Sequence, residues 1–111
     1  MDDKEIMKKI GSRIKKLRKK KGYTQQTFSE AIGLSNNYLS QIERGGSTPR
    51  MDKFVAIMNT LECSADDIFC DVIDYGYKVK ASRISESIEK LSPEDRAKVL
   101  TVIEALTESA E

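Results

Sequence analysis

The sequence contains no histidine and only two cysteines among 111 residues. Without histidine the usual general base is missing, and thiol chemistry has no base partner. No cluster of metal-ligand residues and no phosphate-binding glycine loop stands out, so neither enzyme activity nor a metal or cofactor is expected. No apolar run approaches the roughly 20 residues of a membrane span, and the charged amino terminus lacks the apolar core of a signal peptide. These absences predict a cytoplasmic protein with no membrane partner, in which Cys63 and Cys70 remain reduced thiols. A hydrophobic content of 39% suits one small domain with an appendage rather than a large catalytic core.

Neither half of the chain has a balanced charge. Residues 1–50 carry 12 Lys/Arg against 5 Asp/Glu, whereas residues 51–111 carry 7 against 13, so a net charge of +1 conceals halves of +7 and −6. A basic half suits a polyanion such as DNA; the acidic half is expected to face away from it. The first helix is predicted from Lys4 or Glu5 to Lys21, with Ile6, Ile10, Ile14 and Leu17 at helical spacing, and Gly22 ends it. Its lysines read mainly as a solvated surface, with one or two left for phosphate contact.

The stretch TQQTFSEAIGLSNNYLSQIERG, Thr24 to Gly45, organises the chain. Thr24 is placed to cap a helix whose Phe28, Ala31 and Ile32 share one face, and Gly33 supplies the left-handed stop. Ser35 caps a second helix with Leu39 and Ile42 on its apolar side, and Gly45 ends it. Two short helices joined by a glycine-containing turn, with the small Ser29 at their crossing, form the pattern that places one helix in the DNA major groove. An ordinary helical hairpin is the plainer alternative.

The flanking residues add weight to the first reading. Arg18, Gly22, Thr24, Gln25, Phe28, Gly33, Ser35, Leu39, Ile42, Glu43, Gly45 and Pro49 follow the signature of the phage-repressor and Cro-type (XRE-type) helix-turn-helix regulators, which the chain resembles from about Ile10 to Phe69. Ser29 stands where alanine is usual in that family, and Glu62 where it often has glycine. The resemblance implies that Arg18 forms a buried structural ion pair with Glu43; contact of Arg18 with DNA is the weaker alternative.

Turning the second helix by about 100° per residue places Asn36, Asn37, Ser40, Gln41 and Arg44 within roughly a 140° arc opposite Leu39 and Ile42. Amides that donate and accept together suit adenine edges. The resemblance implies base reading by Asn36, Asn37 and Gln41, with Ser35 at the groove edge. The exposed arc adds Ser40 to the base-reading set and Arg44 to the backbone set. The resemblance further places Gln25, Tyr38 and Arg50 against the DNA backbone.

Past the GSTPR loop, Met51, Phe54, Ile57, Met58 and Leu61 are read as a packed helix, and Ser64 starts a short one ending near Ile68 and Phe69. Cys63 is expected in the core. Residues 71–82, where Tyr75, Tyr77 and Val79 alternate too briefly for a strand, are read as a linker. Ile84, Ile88 and Leu91 then share a helical face, and Ser92-Pro93-Glu94-Asp95 is a start signal for a last helix to about Thr107. Its stripe of Val99, Val102, Ile103 and Leu106, widened by Leu100, needs a partner: the first domain, or the same hairpin of a second chain.

The expected fold is therefore all-α, a five-helix repressor-like DNA-binding domain over 1–70, a linker over 71–82 and a C-terminal helical hairpin over 83–111 that serves dimerisation. The expected function is that of a sequence-specific DNA-binding transcriptional regulator, a dimeric repressor whose homodimer grips a palindromic operator in double-stranded DNA. An autoregulating antitoxin and a protein-bridging coactivator are the alternatives. A Ser/Lys self-cleaving unit, found in some related repressors, does not fit a short helical tail.

Overall fold

The computed structural model describes residues 1–110, and among these no strand occurs. Seven helices follow one another: α1 Asp3–Lys20, α2 Gln25–Ile32, α3 Asn36–Glu43, α4 Met51–Leu61, α5 Ala65–Phe69, α6 Asp74–Glu89 and α7 Pro93–Ala110. The chain divides into two compact units, Met1–Tyr77 and Lys78–Glu111. Glu111 and the side chain of Tyr77 lie outside the described residues.

In the first unit α1 packs on α3 and α5, while α2 packs on α3 and α4. Met7, Ile10, Ile14, Phe28, Ile32, Leu39, Ile42, Phe54, Ile57, Leu61 and Ile68 form one apolar core, the driving force for holding five short helices together. Tyr23 tilts against Phe28 with ring centroids 5.4 Å apart. Ile6 and Leu17, at helical spacing with Ile10 and Ile14, are half-buried against the core, and Met7 takes an inner place. Met51 opens α4 and is 75% exposed, so it leaves the predicted core set. Cys63, expected in the core, is half-buried against it, and Cys70 is buried.

Local chemistry fixes the helix ends. Thr24 Oγ1 accepts from Thr27 N at 3.0 Å while Thr27 Oγ1 accepts from Thr24 N, a reciprocal cap. Gly33 follows α2 in the left-handed region at φ 72°. Glu62 closes α4 at φ 53°, so the chain makes the same left-handed turn here without a glycine, at a cost of about 1–2 kcal/mol.

Gly11, in the middle of α1, permits the closest helix crossing. A Cβ there would meet the carbonyl oxygen of Ile42 at 2.2 Å and that of Glu43 at 2.8 Å. The backbone of α1 therefore lies directly on the end of α3. Gly45 continues this approach: its Cβ would stand 2.6 Å from Lys8 Cα.

Residues 71–82 depart from the linker expectation, because α6 begins at Asp74. Arg13 anchors the preceding turn with a fork onto Asp71, Nη2 to Oδ2 at 2.7 Å and Nε to Oδ2 at 3.1 Å. Those hydrogen bonds, with the Asp71 charge, push the Arg13 guanidinium further up from an already high value.

In the second unit Ser92 Oγ caps α7 by accepting from Asp95 N at 3.2 Å. Arg96 Nη2 donates to the Glu89 and Leu91 carbonyls, satisfying groups left free by the end of α6. The last helix runs to Ala110, past the expected Thr107, and buries no residue.

Candidate nucleic-acid interface

The amino ends of α2 and α3 are built by side-chain caps that free other groups for outside contact. Ser35 Oγ accepts from Tyr38 N at 3.1 Å, which ties the predicted groove-edge residue to capping α3 while leaving its hydroxyl proton able to donate. Asn36 and Asn37 then stand exposed in the first turn of α3, with no side-chain hydrogen bond within the described structure. Both ends of each amide remain available.

Gln41 and Ser40 are half-buried on the same helix. Gln41 Oε1 accepts from Ser47 Oγ at 2.9 Å, so the amide is held with its two N–H donors directed away from that hydroxyl. Gln41 is thereby biased toward acceptor groups. Tyr38 packs against the core, and its hydroxyl donates to the Thr48 carbonyl at 3.4 Å. A phosphate only accepts, so Tyr38 must give up this long bond before it can donate to one. Ser47 and Thr48, which restrain these two side chains, carry no local sequence signal: they act from a loop six and ten residues beyond their partners.

Arg44 is exposed at the carboxyl end of α3. Arg50 precedes α4, and its guanidinium, 90% exposed, lies 3.9 Å from Asp52. Such a pair is loose and screened by salt, so Arg50 is available to an incoming anion.

Behind this face lies a buried ionic network. Arg18 Nε donates to Glu43 Oε2 at 2.6 Å, Arg18 Nη2 to Glu43 Oε1 at 3.1 Å and Arg18 Nη1 to the Tyr23 carbonyl at 2.8 Å. The two charged side chains are 6% and 2% exposed. Arg18 is therefore committed inside the domain, with its donors on Glu43 and the Tyr23 carbonyl. Gln25, at the start of α2, donates from Nε2 to Glu43 Oε1 at 3.0 Å. One of its two amide donors is engaged within the protein.

Residues 14–68, which include the helix pair, its glycine turn and both members of the buried pair, match the helix-turn-helix family HTH_3. The chain belongs to this family. This helix-turn-helix protein is 41% identical over 58 residues to the uncharacterized HTH-type transcriptional regulator YazB of Bacillus subtilis strain 168, covering 52% of this chain and 84% of YazB. It is 32% identical over 89 residues to the HTH-type transcriptional regulator ImmR of the same strain, covering 78% of this chain and 70% of ImmR. Among solved structures it resembles the restriction-modification controller protein C.Esp1396I, a tetramer in complex with its natural 35 base-pair operator. The TM-score is 0.54 at 30% identity, covering 65% of this chain and 95% of that one. As a family member, the helix-turn-helix protein is a DNA-binding transcription regulator and not an enzyme.

The side chains expected to serve dimerisation belong to α7 of the second unit. Val102, Ile103 and Leu106 on α7 are 59%, 41% and 65% exposed, with Leu100 beside them at 43%, and Val99 is half-buried. No helix among the described residues is long and apolar enough to cross a membrane.

Proposed function

We propose that this regulator is a cytoplasmic dimeric repressor that occludes a promoter by seating α3 of each protomer in adjacent major grooves of a palindromic operator. The observation that carries the reading is the outer face of α3. Asn36 and Asn37 are exposed amides without internal partners, Gln41 is oriented to donate, and Arg44 adds a cation at the helix end. Amide groups read base edges by paired donors and acceptors, whereas a merely solvated helix face usually carries more charge. Ser35 and Ser40 contribute at its margin. Gln25, Arg44 and Arg50, with Tyr38 once released from Thr48, hold phosphate oxygens and set the register.

Residues 1–70 are assigned the DNA-binding role and 83–111 the dimer contact, through Val99, Val102, Ile103 and Leu106. A helix with this many exposed aliphatic side chains is stabilised by a second copy, and a two-fold dimer matches a palindromic site. The C.Esp1396I assembly on its operator supports an oligomeric DNA-bound form. Selection of bound sequences from a random duplex pool tests the proposal. An enriched inverted repeat with half-sites about one helical turn, 34 Å, apart is expected; enrichment of single half-sites refutes the dimer, and no enrichment refutes sequence-specific repression.

A further inference from the structure

We infer that Glu43 is a positioning residue for the DNA-backbone contact: through Gln25 it converts the buried ion pair of the domain into a fixed donor for phosphate. The inference rests on the reading of Gln25 as a phosphate contact given above. Its basis is the junction where α1, α2 and α3 converge. Glu43 ends α3, Gln25 begins α2 and Arg18 lies near the end of α1. Glu43 Oε1 receives both Arg18 Nη2 at 3.1 Å and Gln25 Nε2 at 3.0 Å, while Oε2 receives Arg18 Nε at 2.6 Å.

A carboxylate is acceptor-only, so it accepts the nitrogen end of the Gln25 amide and repels the carbonyl end. That choice fixes the amide plane. One N–H is consumed by Glu43, and the second is left pointing away from it on a half-exposed side chain. A free glutamine in the first turn of a helix samples both amide orientations, and one of them turns its carbonyl toward the phosphate. Glu43 removes that orientation before DNA arrives, an ordering cost the complex then avoids. Arg18 neutralises the carboxylate, so the incoming phosphate does not meet an uncompensated negative charge. Because Glu43 belongs to the recognition helix, the donor for the backbone is set in the same frame as the amides that read bases.

The test uses the full chain and four variants: Gln25→Met, Glu43→Gln, their combination, and the joint replacement Arg18→Met with Glu43→Met. Affinity is measured on an operator duplex from the selection experiment and on an unrelated duplex, with thermal unfolding in parallel. Gln25→Met is expected to weaken binding about tenfold on both duplexes, as the loss of one charge-assisted hydrogen bond to phosphate requires. Glu43→Gln offers a side chain that can present either amide end, and is expected to weaken both to a similar extent. In the Gln25→Met background it should bring no further loss of affinity, although its effect on the unfolding temperature persists.

Where Glu43→Gln prevents folding, the joint methionine variant replaces the buried pair by apolar groups of similar size, a change that folded proteins tolerate. It should bind both duplexes as weakly as Gln25→Met. Multiplying losses in the combined variant would overturn the inference, because Glu43 would then act through the fold alone. Wild-type affinity in a folded Arg18→Met/Glu43→Met protein would overturn it as well. Unchanged binding by Gln25→Met removes the phosphate contact itself, while sequence selection by α3 would still stand.

Discussion

Gly11→Ala sets two effects of opposite sign against each other. Alanine is the better helix former by about 1 kcal/mol, so a solvent-facing glycine in α1 would be improved by the change. At Gly11 the new Cβ would lie 2.2 Å from the Ile42 carbonyl oxygen and 2.8 Å from that of Glu43. Both are backbone atoms and cannot rotate aside. An ordinary contact requires α1 and α3 to separate by about 1 Å, which weakens dispersion contacts along their whole crossing. Overpacking of this kind costs about 1–3 kcal/mol, and rigid neighbours place it at the upper end. The net expectation is a destabilisation of about 2 kcal/mol, or a fall in Tm of roughly 8–16 °C for a domain of this size. Thermal and urea unfolding measure it directly. Gly22→Ala is the control, since nothing lies within 4 Å of its Cβ position and only its left-handed φ of 85° opposes the change. A Gly11→Ala protein as stable as wild type, or more stable, would refute the direct backbone crossing.

Glu62→Gly should raise stability by about 0.5–1 kcal/mol in urea unfolding, because it removes side-chain strain at φ 53° that exceeds the added unfolded-state entropy. Asn37→Ala should cost about 1–3 kcal/mol of discrimination at one or two base positions while weak non-specific binding survives; equal weakening on all sequences would exclude base reading. Leu106→Glu places a charge on a side chain 65% exposed, so it should leave the unfolding of the first unit unchanged yet shift sedimentation from dimer to monomer and bring operator affinity down to that of a half-site. Burial, followed by the nearby Asp67 charge, pushes the Cys63 thiol up. The folded state therefore holds its proton longer than the unfolded chain, and stability should decline as pH rises from the ordinary thiol range through the raised value; Cys63→Ser should flatten that decline in pH-dependent unfolding.

Much of the first unit was legible because its signals are local. Thr24, Gly33 and Ser35 announce helix boundaries by chemistry that acts within three residues, and the structure places the caps and the left-handed turn there. Long-range partners gave no such signal. Arg13 meets Asp71 across 58 positions, so the order at the start of the supposed linker was invisible to spacing, and α6 has only a weakly apolar face to mark its beginning. Met51 fits the apolar repeat of α4 but stands in its first turn, where solvent replaces a packing neighbour. Gly11 did leave a trace: a lone glycine between the core positions Ile10 and Ile14 is the mark of a close backbone approach. On α3, the amide face followed from helical rotation alone. The Ser47 and Thr48 restraints depend on how a loop folds back, which rotation does not supply.

The brevity of α3 limits how much information one protomer can extract. Its eight residues extend about 12 Å, against a base-pair spacing of about 3.4 Å, so one pass along a groove spans roughly four base pairs. Four positions distinguish about 250 words, whereas a genome presents on the order of 10⁶ or more competing registers. A single copy would find thousands of equivalent addresses. Doubling the word to eight letters gives about 65,000 combinations and still leaves a dozen or more accidental matches per million registers, so the remaining bits must come from outside the groove-facing helix. Spacing between half-sites, minor-groove width and the stiffness of the intervening bases can supply them. Operators of this regulator should accordingly show sequence constraint at positions that no side chain of α3 can touch.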